Sequence, residues 1–319
     1  MNSFEPAWWL QNAHAQTIWA AKVRRAPQLR FQAERVELSD GDFVDLAWTA
    51  DGGGPIAFIF HGLGGSAQSP YVRGISAALS ARGWTAVVMH FRGCSGEPNR
   101  LQRSYHAGDT GDISHVIKLI CARYPMRQFA AVGYSLGGNA LLNWLAEDRR
   151  NSLSAAVAVS VPYDLAASAD TLDSGFAKLY QRHLVSSLLR SLRARSSSYQ
   201  RQAIDLRGVN TGSNFWYFDD KITAPLHGFR DVHEYYRLCS SKQFLASIDT
   251  PTLLLHAIDD PFVSAQSIPT KRELSRAVEL EVSARGGHVG FIAERETMPT
   301  PHYWLEQRIP AYLDQRIRQ

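Results

Sequence analysis

Residues 131–144, AVGYSLGGNALLNW, set Ser135 between Gly133 and Gly137, where a short apolar run gives way to residues spaced for a helix. A serine on such a strand-to-helix turn has its hydroxyl lifted above the sheet edge, where it can attack a carbonyl carbon. The turn is crowded, and residues without a Cβ two positions to either side relieve that crowding. With Gly and Ser each at about 7% of residues, chance supplies roughly 0.1 such pentapeptides in a chain of this length. The pattern therefore needs partners before it carries chemistry. A hydroxyl is a weak nucleophile and requires a base to take its proton and a carboxylate to orient that base.

On an open α/β sheet the expected chain order is Ser, then acid, then His. His288 lies in the Gly-rich stretch ARGGHVGF, directly after the strand-like run AVELEVS (277–283). There a pliable backbone can swing an imidazole toward Ser135. The acid comes from AIDDPFV, after the strand-like run PTLLLHA (251–257). Asp260, just before Pro261 and three residues before Val263, is the favoured carboxylate, and Asp259 reads as a turn-stabilising side chain. A rarer layout nominates Asp164, which is better explained as the N-cap of a helix beginning LAAS.

Attack on an ester puts negative charge on the carbonyl oxygen, and waiting backbone N–H groups are each worth on the order of 10²–10³ in rate. Leu136, at a helix N-terminus, offers one. The second should come from HGLGGS (61–66), where the glycines let Leu63 turn its N–H into the site. His61 reads as structural rather than as a second base. The same GLGG stretch lacks the Lys-Ser/Thr of a phosphate loop, and HEYYR (233–237) lacks the second His of a zinc-protease helix. No cofactor or metal is called for. Cys94 sits on the site edge but reads as a packed side chain.

These residues need a frame. Apolar runs without alternation at 55–60, 85–90, 128–133 and 155–160 are separated by helix-like stretches near 70–82, 109–123 and 136–147. Strands buried on both faces imply a mostly parallel sheet covered by helices, an α/β fold. RVELSDGDFVDLAW (35–48) alternates about a Ser-Asp-Gly-Asp turn and predicts a hairpin. The sheet pattern stops between about 163 and 247. It then resumes at 251–257, with helices expected near 264–276 and 301–317 and a strand at 277–283. Three parts follow: residues 1–162 as the first part of the core, 163–247 as a helical cap inserted over the site, and 248–319 as the rest of the core.

The chain has 319 residues, 45% hydrophobic and 20% charged, with a formal net charge of +4. No run of five Lys/Arg occurs, so a nucleic-acid partner is not indicated. Three scattered cysteines provide neither a disulfide framework nor a zinc site and fit a reducing, cytoplasmic setting. The first twenty residues do not read as a signal peptide, and no stretch reaches the ~18 apolar residues needed to span a bilayer. The run 176–195 sets Arg182, Arg190 and Arg193 near an apolar face. Its plain reading is a helix packed on the core with a solvated basic side, and peripheral membrane contact stays open beside it.

HGLGG, HFRGCSGEPNR, YHAGDTGD, GYSLGGN, FDDKITAPLHGF, DDPF and GGHVGF, with HAQTI near the start, together resemble the YheT-like branch of the α/β-hydrolases. That branch is related to the eukaryotic ABHD lipases. The matches run from residue 14 to residue 291, and Ala15 departs from the larger apolar residue common there. The resemblance implies a triad of Ser135, Asp260 and His288 and hydrolysis of carboxylic esters. It marks FDDKITAPLHGF (218–229) as a hallmark without assigning it a chemical role.

The expected activity is cleavage of short- to medium-chain acyl monoesters through an acyl-enzyme, with a small-molecule ester as partner. An acyltransferase on the same triad is the alternative enzyme. A binding protein that kept the fold and lost turnover is the alternative outside catalysis. Phe215, Trp216, Tyr217 and Phe218 in the insertion are expected to enclose the acyl chain.

Overall fold

The computed structural model describes residues 4–196, 206–295 and 298–317. After α1 (Ala13–Ile18) come β1 (Gln32–Glu37), β2 (Phe43–Trp48), β3 (Ile56–Phe60), α2 (Pro70–Ser80), β4 (Thr85–Met89) and α3 (Gly111–Arg123). Then follow β5 (Phe129–Tyr134), α4 (Leu136–Glu147) and β6 (Leu153–Val159). A helical stretch holds α5 (Leu165–Leu172), α6 (Ala177–Ser196), α7 (Phe215–Phe218), α8 (Ala224–Leu226) and α9 (Val232–Cys239). The chain returns to the sheet with β7 (Thr252–Ala257) and β8 (Val278–Ser283). It ends with β9 (Ile292–Arg295), β10 (Met298–Tyr303) and α10 (Leu305–Ile317).

The first eight strands form one sheet in the order β1-β2-β4-β3-β5-β6-β7-β8. β1 and β2 make the expected hairpin and β2 runs antiparallel to β4, whereas every pairing from β4 to β8 is parallel. The apolar runs have no polar face because both sides are covered. Ile56, Phe58 and Phe60 share a core with Ile113, Val116 and Ile120 of α3 and Leu141 and Leu142 of α4. The intervening Ala57 and Ile59 share another with Val72, Ile75 and Leu79 of α2 and Ile309 and Leu313 of α10. Fully burying one such Leu, Ile or Phe contributes about 1.5–3 kcal/mol, so the central strands are the rigid floor on which the site rests.

Two expectations are corrected. The helix expected near 264–276 is two 3₁₀ turns, Ala265–Ser267 and Lys271–Glu273. Pro269 lies between them and forces Ile268 into an extended conformation (φ −61°, ψ 130°), which an α-helix cannot accommodate. The last helix starts at Leu305 rather than 301, because Met298–Tyr303 pairs antiparallel with Ile292–Arg295. Pro299 and Pro301 bias the residues before them, Met298 and Thr300, toward the extended backbone of that strand. Among the described residues no helix is long and apolar enough to cross a membrane.

Candidate active site

Ser135 joins β5 to α4 and has φ 51° and ψ −122°, a conformation rarely adopted by residues with a side chain. The packing beneath holds it there. A Cβ on Gly137 would lie 2.4 Å from the His61 carbonyl oxygen and 2.5 Å from that of Phe60, so only glycine lets α4 start so close to β3. The Ser135 N–H donates to the Val159 carbonyl at 2.9 Å, which fixes the turn to β6.

His288 stands on the loop between β8 and β9, and its Nε2 is 3.0 Å from Ser135 Oγ. Its Nδ1 faces Asp260, 2.8 Å from Oδ2 and 3.0 Å from Oδ1. A carboxylate only accepts, so Nδ1 carries the proton and Nε2 is left to accept from the serine hydroxyl. Phe262 stacks on the imidazole, with centroids 4.0 Å apart and planes within 5°. The Phe262 N–H in turn donates to Asp260 Oδ1 at 2.8 Å. Asp260 is itself buried, and a second buried imidazole, that of His256, lies 3.9 Å from its Oδ2.

The other carboxylates have different work. Asp259 Oδ1 accepts the Gly287 N–H at 2.9 Å, and burial raises its pKa above the ordinary value. It ties down the loop that carries His288. Asp164 caps α5 by accepting the Ala167 N–H at 3.0 Å. Neither is hydrogen-bonded to the imidazole among the described residues.

The loop after β3 faces Ser135 from the other side. Gly62 N–H donates to Tyr71 Oη at 2.9 Å and Gly64 N–H to Tyr105 Oη at 2.7 Å. Leu63 lies between them, and neither its N–H nor that of Leu136 has a hydrogen-bond partner among the described residues. His61 fixes the start of this loop: Nδ1 donates to the Gly62 carbonyl at 2.8 Å and Nε2 accepts the Phe91 N–H at 3.2 Å. Burial lowers its pKa to about 3, so it stays neutral and both contacts persist at ordinary pH. Tyr105 stacks on Phe91, and the segment between them is anchored by buried Arg92, which grips Asp112 through two hydrogen bonds and also reaches Asp42. That gives the HFRGCSGEPNR and YHAGDTGD stretches a structural purpose.

Above Ser135 and His288 lies a cavity of about 660 Å³, walled by side chains such as Leu165, Leu172, Leu184, Leu188, Phe215 and Phe218. Its lining is largely aliphatic and aromatic, as suits an apolar group beside a few fixed polar atoms. Of the four aromatic residues expected to enclose it, only Phe215 and Phe218 line it. On α7 these two are three apart and share a face. Trp216 instead donates to Asp170 Oδ1 at 2.7 Å, and Tyr217 is partly exposed. α6 buries Val185, Leu189 and Leu192 and leaves Arg182, Arg190 and Arg193 exposed.

The 218–229 stretch acquires a place. Asp219–Thr223 wind as a π-turn, and Phe218, Asp219, Ile222, Thr223, Leu226 and His227 all line the cavity. Asp219 accepts from Thr223 Oγ1 at 2.5 Å and from Tyr236 Oη at 2.7 Å, and burial pushes its pKa up to about 6.

Sequence reasoning overlooked the residues that hold the site rather than form it: Gln16, Thr17, Tyr71, Tyr105 and Ser160. Ser160, itself at φ 51°, accepts the Val289 N–H at 3.0 Å. Gln16 and Thr17 lie in HAQTI, a stretch already noted but given no task.

The family profile described as alpha/beta hydrolase fold matches residues 56–294. YheT of Escherichia coli is 42% identical over 316 residues, covering 97% of this chain and 92% of its own. The human phospholipase ABHD3 is 26% identical over 302 residues, covering 91% of this chain and 74% of its own. Among solved structures, the Pyrococcus furiosus esterase Pf2001 matches with a TM-score of 0.59 over 92% of this chain and 98% of that one. At 16% identity this last likeness speaks for the fold alone. The chain belongs to the α/β-hydrolase fold family and, among its esterase- and lipase-like hydrolases, to the branch of YheT.

Proposed function

We propose that the chain hydrolyses carboxylic esters through an acyl-enzyme, with Ser135 as nucleophile, His288 as base and Asp260 as the carboxylate that orients it. The observation that carries this reading is the unbroken chain Ser135 Oγ to His288 Nε2, and His288 Nδ1 to Asp260, at the floor of an apolar cavity. Ser135 Oγ bonds to the carbonyl carbon while its proton passes to Nε2. The oxygen that gains charge is received by the N–H groups of Leu136 and Leu63, the first helped by the positive end of α4. The C–O bond to the alcohol then breaks, and the alcohol leaves with the proton held on Nε2. Water, deprotonated by the same nitrogen, attacks the acyl-serine and releases the carboxylic acid.

The segment 163–247 acts as a cap between the core segments 1–162 and 248–319, and its α5, α6 and α7 side chains take the acyl chain. Each enclosed CH₂ is worth roughly 0.8 kcal/mol, so selectivity should rise with acyl length until the cavity is filled. The cavity favours uncharged monoesters of short to medium chain.

Titration with a fluorophosphonate tests the chemistry: one serine labelled per chain is expected, and no labelling would refute it. A p-nitrophenyl ester series from acetate to palmitate, run beside matching anilides, tests the substrate. Rates that rise and then fall with length support the cavity. Anilides cleaved as fast as esters would overturn the ester assignment, and acyl transfer to added alcohol in preference to water would make the chain an acyltransferase.

A further inference from the structure

The base loop is held from a part of the chain that the ester mechanism has not used. Thr17, in α1, accepts the His288 backbone N–H at 2.9 Å through Oγ1 and donates the hydroxyl proton to the Ala13 carbonyl at 2.8 Å. One residue earlier, Gln16 treats Ile292 as a strand would. Its Oε1 accepts the Ile292 N–H at 2.7 Å, and its Nε2 donates to the Ile292 carbonyl at 2.9 Å and to the Leu10 carbonyl at 2.7 Å. Gln16 is fully buried and Thr17 nearly so. The approach is closest at Gly287, where a Cβ would lie 2.5 Å from the Ala13 carbonyl oxygen and 2.7 Å from Thr17 Oγ1.

The loop needs such support, because Val289 (φ 56°) and Phe291 (φ 49°) sit in conformations disfavoured for residues with side chains. Released from its partners, this segment would relax, and the imidazole attached to it would move. The same α1 also reaches α6, where His14 Nδ1 lies 3.1 Å from Tyr180 Oη, and the residue before α6, Phe176, on which the His14 ring packs. It therefore joins the roof of the cavity to the loop of the base.

We propose that Gln16 and Thr17 are positioning residues of the hydrolytic site: α1, which precedes the 56–294 region matched by the family profile, fixes the main chain of His288 so that its imidazole faces Ser135. This rests on the triad reading above and adds to it a residue pair outside the triad. Misplacing a reacting group by an ångström can cost about 100-fold in rate, whereas α1 touches the cavity only through Thr17 and Ile18 and most of the wall comes from other elements.

The experiment compares Thr17→Val, which keeps the shape and removes the acceptor, with Thr17→Ser, which keeps the hydroxyl. Steady-state kinetics on a p-nitrophenyl ester, fluorophosphonate labelling rate and the denaturation midpoint are measured for each. Thr17→Val should lower kcat by about 10- to 100-fold with KM within about twofold, and should slow labelling without changing its final stoichiometry. Thr17→Ser should remain within about threefold of the parent. Gln16→Leu, acting four residues from the base, gives a second reading should Thr17→Val not fold; it should lower kcat by less than Thr17→Val does and also spare KM.

A parent enzyme that neither labels nor turns over would remove the triad reading itself. If the parent labels and turns over, only the present proposal is at stake. It is overturned if Thr17→Val and Gln16→Leu change stability but not kcat, or if Thr17→Ser loses as much as Thr17→Val.

Discussion

The Ser135 turn and the His288 loop reach the same end by different means. Each places residues with side chains at positive φ, Ser135 in one and Val289 and Phe291 in the other, and each such residue costs of order 1–3 kcal/mol. At the turn, contact does most of the holding, beside one main-chain hydrogen bond from Ser135 to Val159. Glycines allow α4 to press against β3, and no side-chain hydrogen bond caps the helix start. At the loop, hydrogen bonds do it: Gly287, His288, Val289 and Ile292 donate their N–H groups to Asp259, Thr17, Ser160 and Gln16. A turn held by packing depends on its own glycines and the main chain of the strand beside it. A loop held by hydrogen bonds depends on side chains scattered over the chain, any of which can fail independently.

Substitutions can break this contrast in graded steps. The largest effect belongs to Ser135→Ala, which should remove fluorophosphonate labelling and lower ester turnover by about four orders of magnitude or more, with the denaturation midpoint preserved. Next comes the acid. Asp260→Asn should lower kcat by about 10³- to 10⁴-fold, because an amide no longer fixes the tautomer of His288. Asp259→Asn should stay within about tenfold, since its remaining oxygen can still accept the Gly287 N–H. The reverse ranking would reassign the acid.

The contrast itself is sharpened by one substitution on each side. Gly137→Ala puts a methyl group against two carbonyl oxygens and should destabilise the fold by about 3 kcal/mol, seen as a lower urea midpoint. Ser160→Ala leaves the buried Val289 N–H without its acceptor and should cost about 1–3 kcal/mol while lowering kcat by roughly tenfold. Equal patterns in the two variants would erase the distinction between packing and hydrogen bonding.

The smallest effect is on acid stability. His61 titrates at about 3 in the fold and near 6.5 when unfolded, so the unfolded chain binds more protons between these values. Its contribution is therefore complete above pH 6.5 and lost as pH falls, by about 1.4 kcal/mol at pH 5.5. Asp219 opposes it over part of that range, because its carboxyl titrates at about 6 in the fold and lower when unfolded. Asp219→Asn should thus steepen the loss of stability between pH 6 and pH 4, as measured by urea unfolding.

The Ser135 turn was legible because its cause is local: glycine spacing and a change of hydrophobic period both lie within fifteen residues. The parallel sheet was legible for a similar reason, since strands covered on both faces must be apolar at every position. The hairpin at β9 and β10 and the broken stretch at 264–276 were misread where prolines interrupt an otherwise helix-like pattern. The orientation of α7 was misread too, because four consecutive aromatic residues do not announce which two will face inward.

The amino-acid order by itself determined the turn at Ser135, the layered sheet and the placing of Asp260 and His288 in loops at one sheet edge. Periodicity, glycine spacing and chain order are properties of neighbours. Only the tertiary structure decided what holds His288 in place. Thr17 and Gln16 lie 271 and 276 residues from their partners, and their hydrogen bonds exist only once the sheet has brought the two ends of the chain together. Nothing in a buried Gln or Thr reveals which distant N–H it will accept.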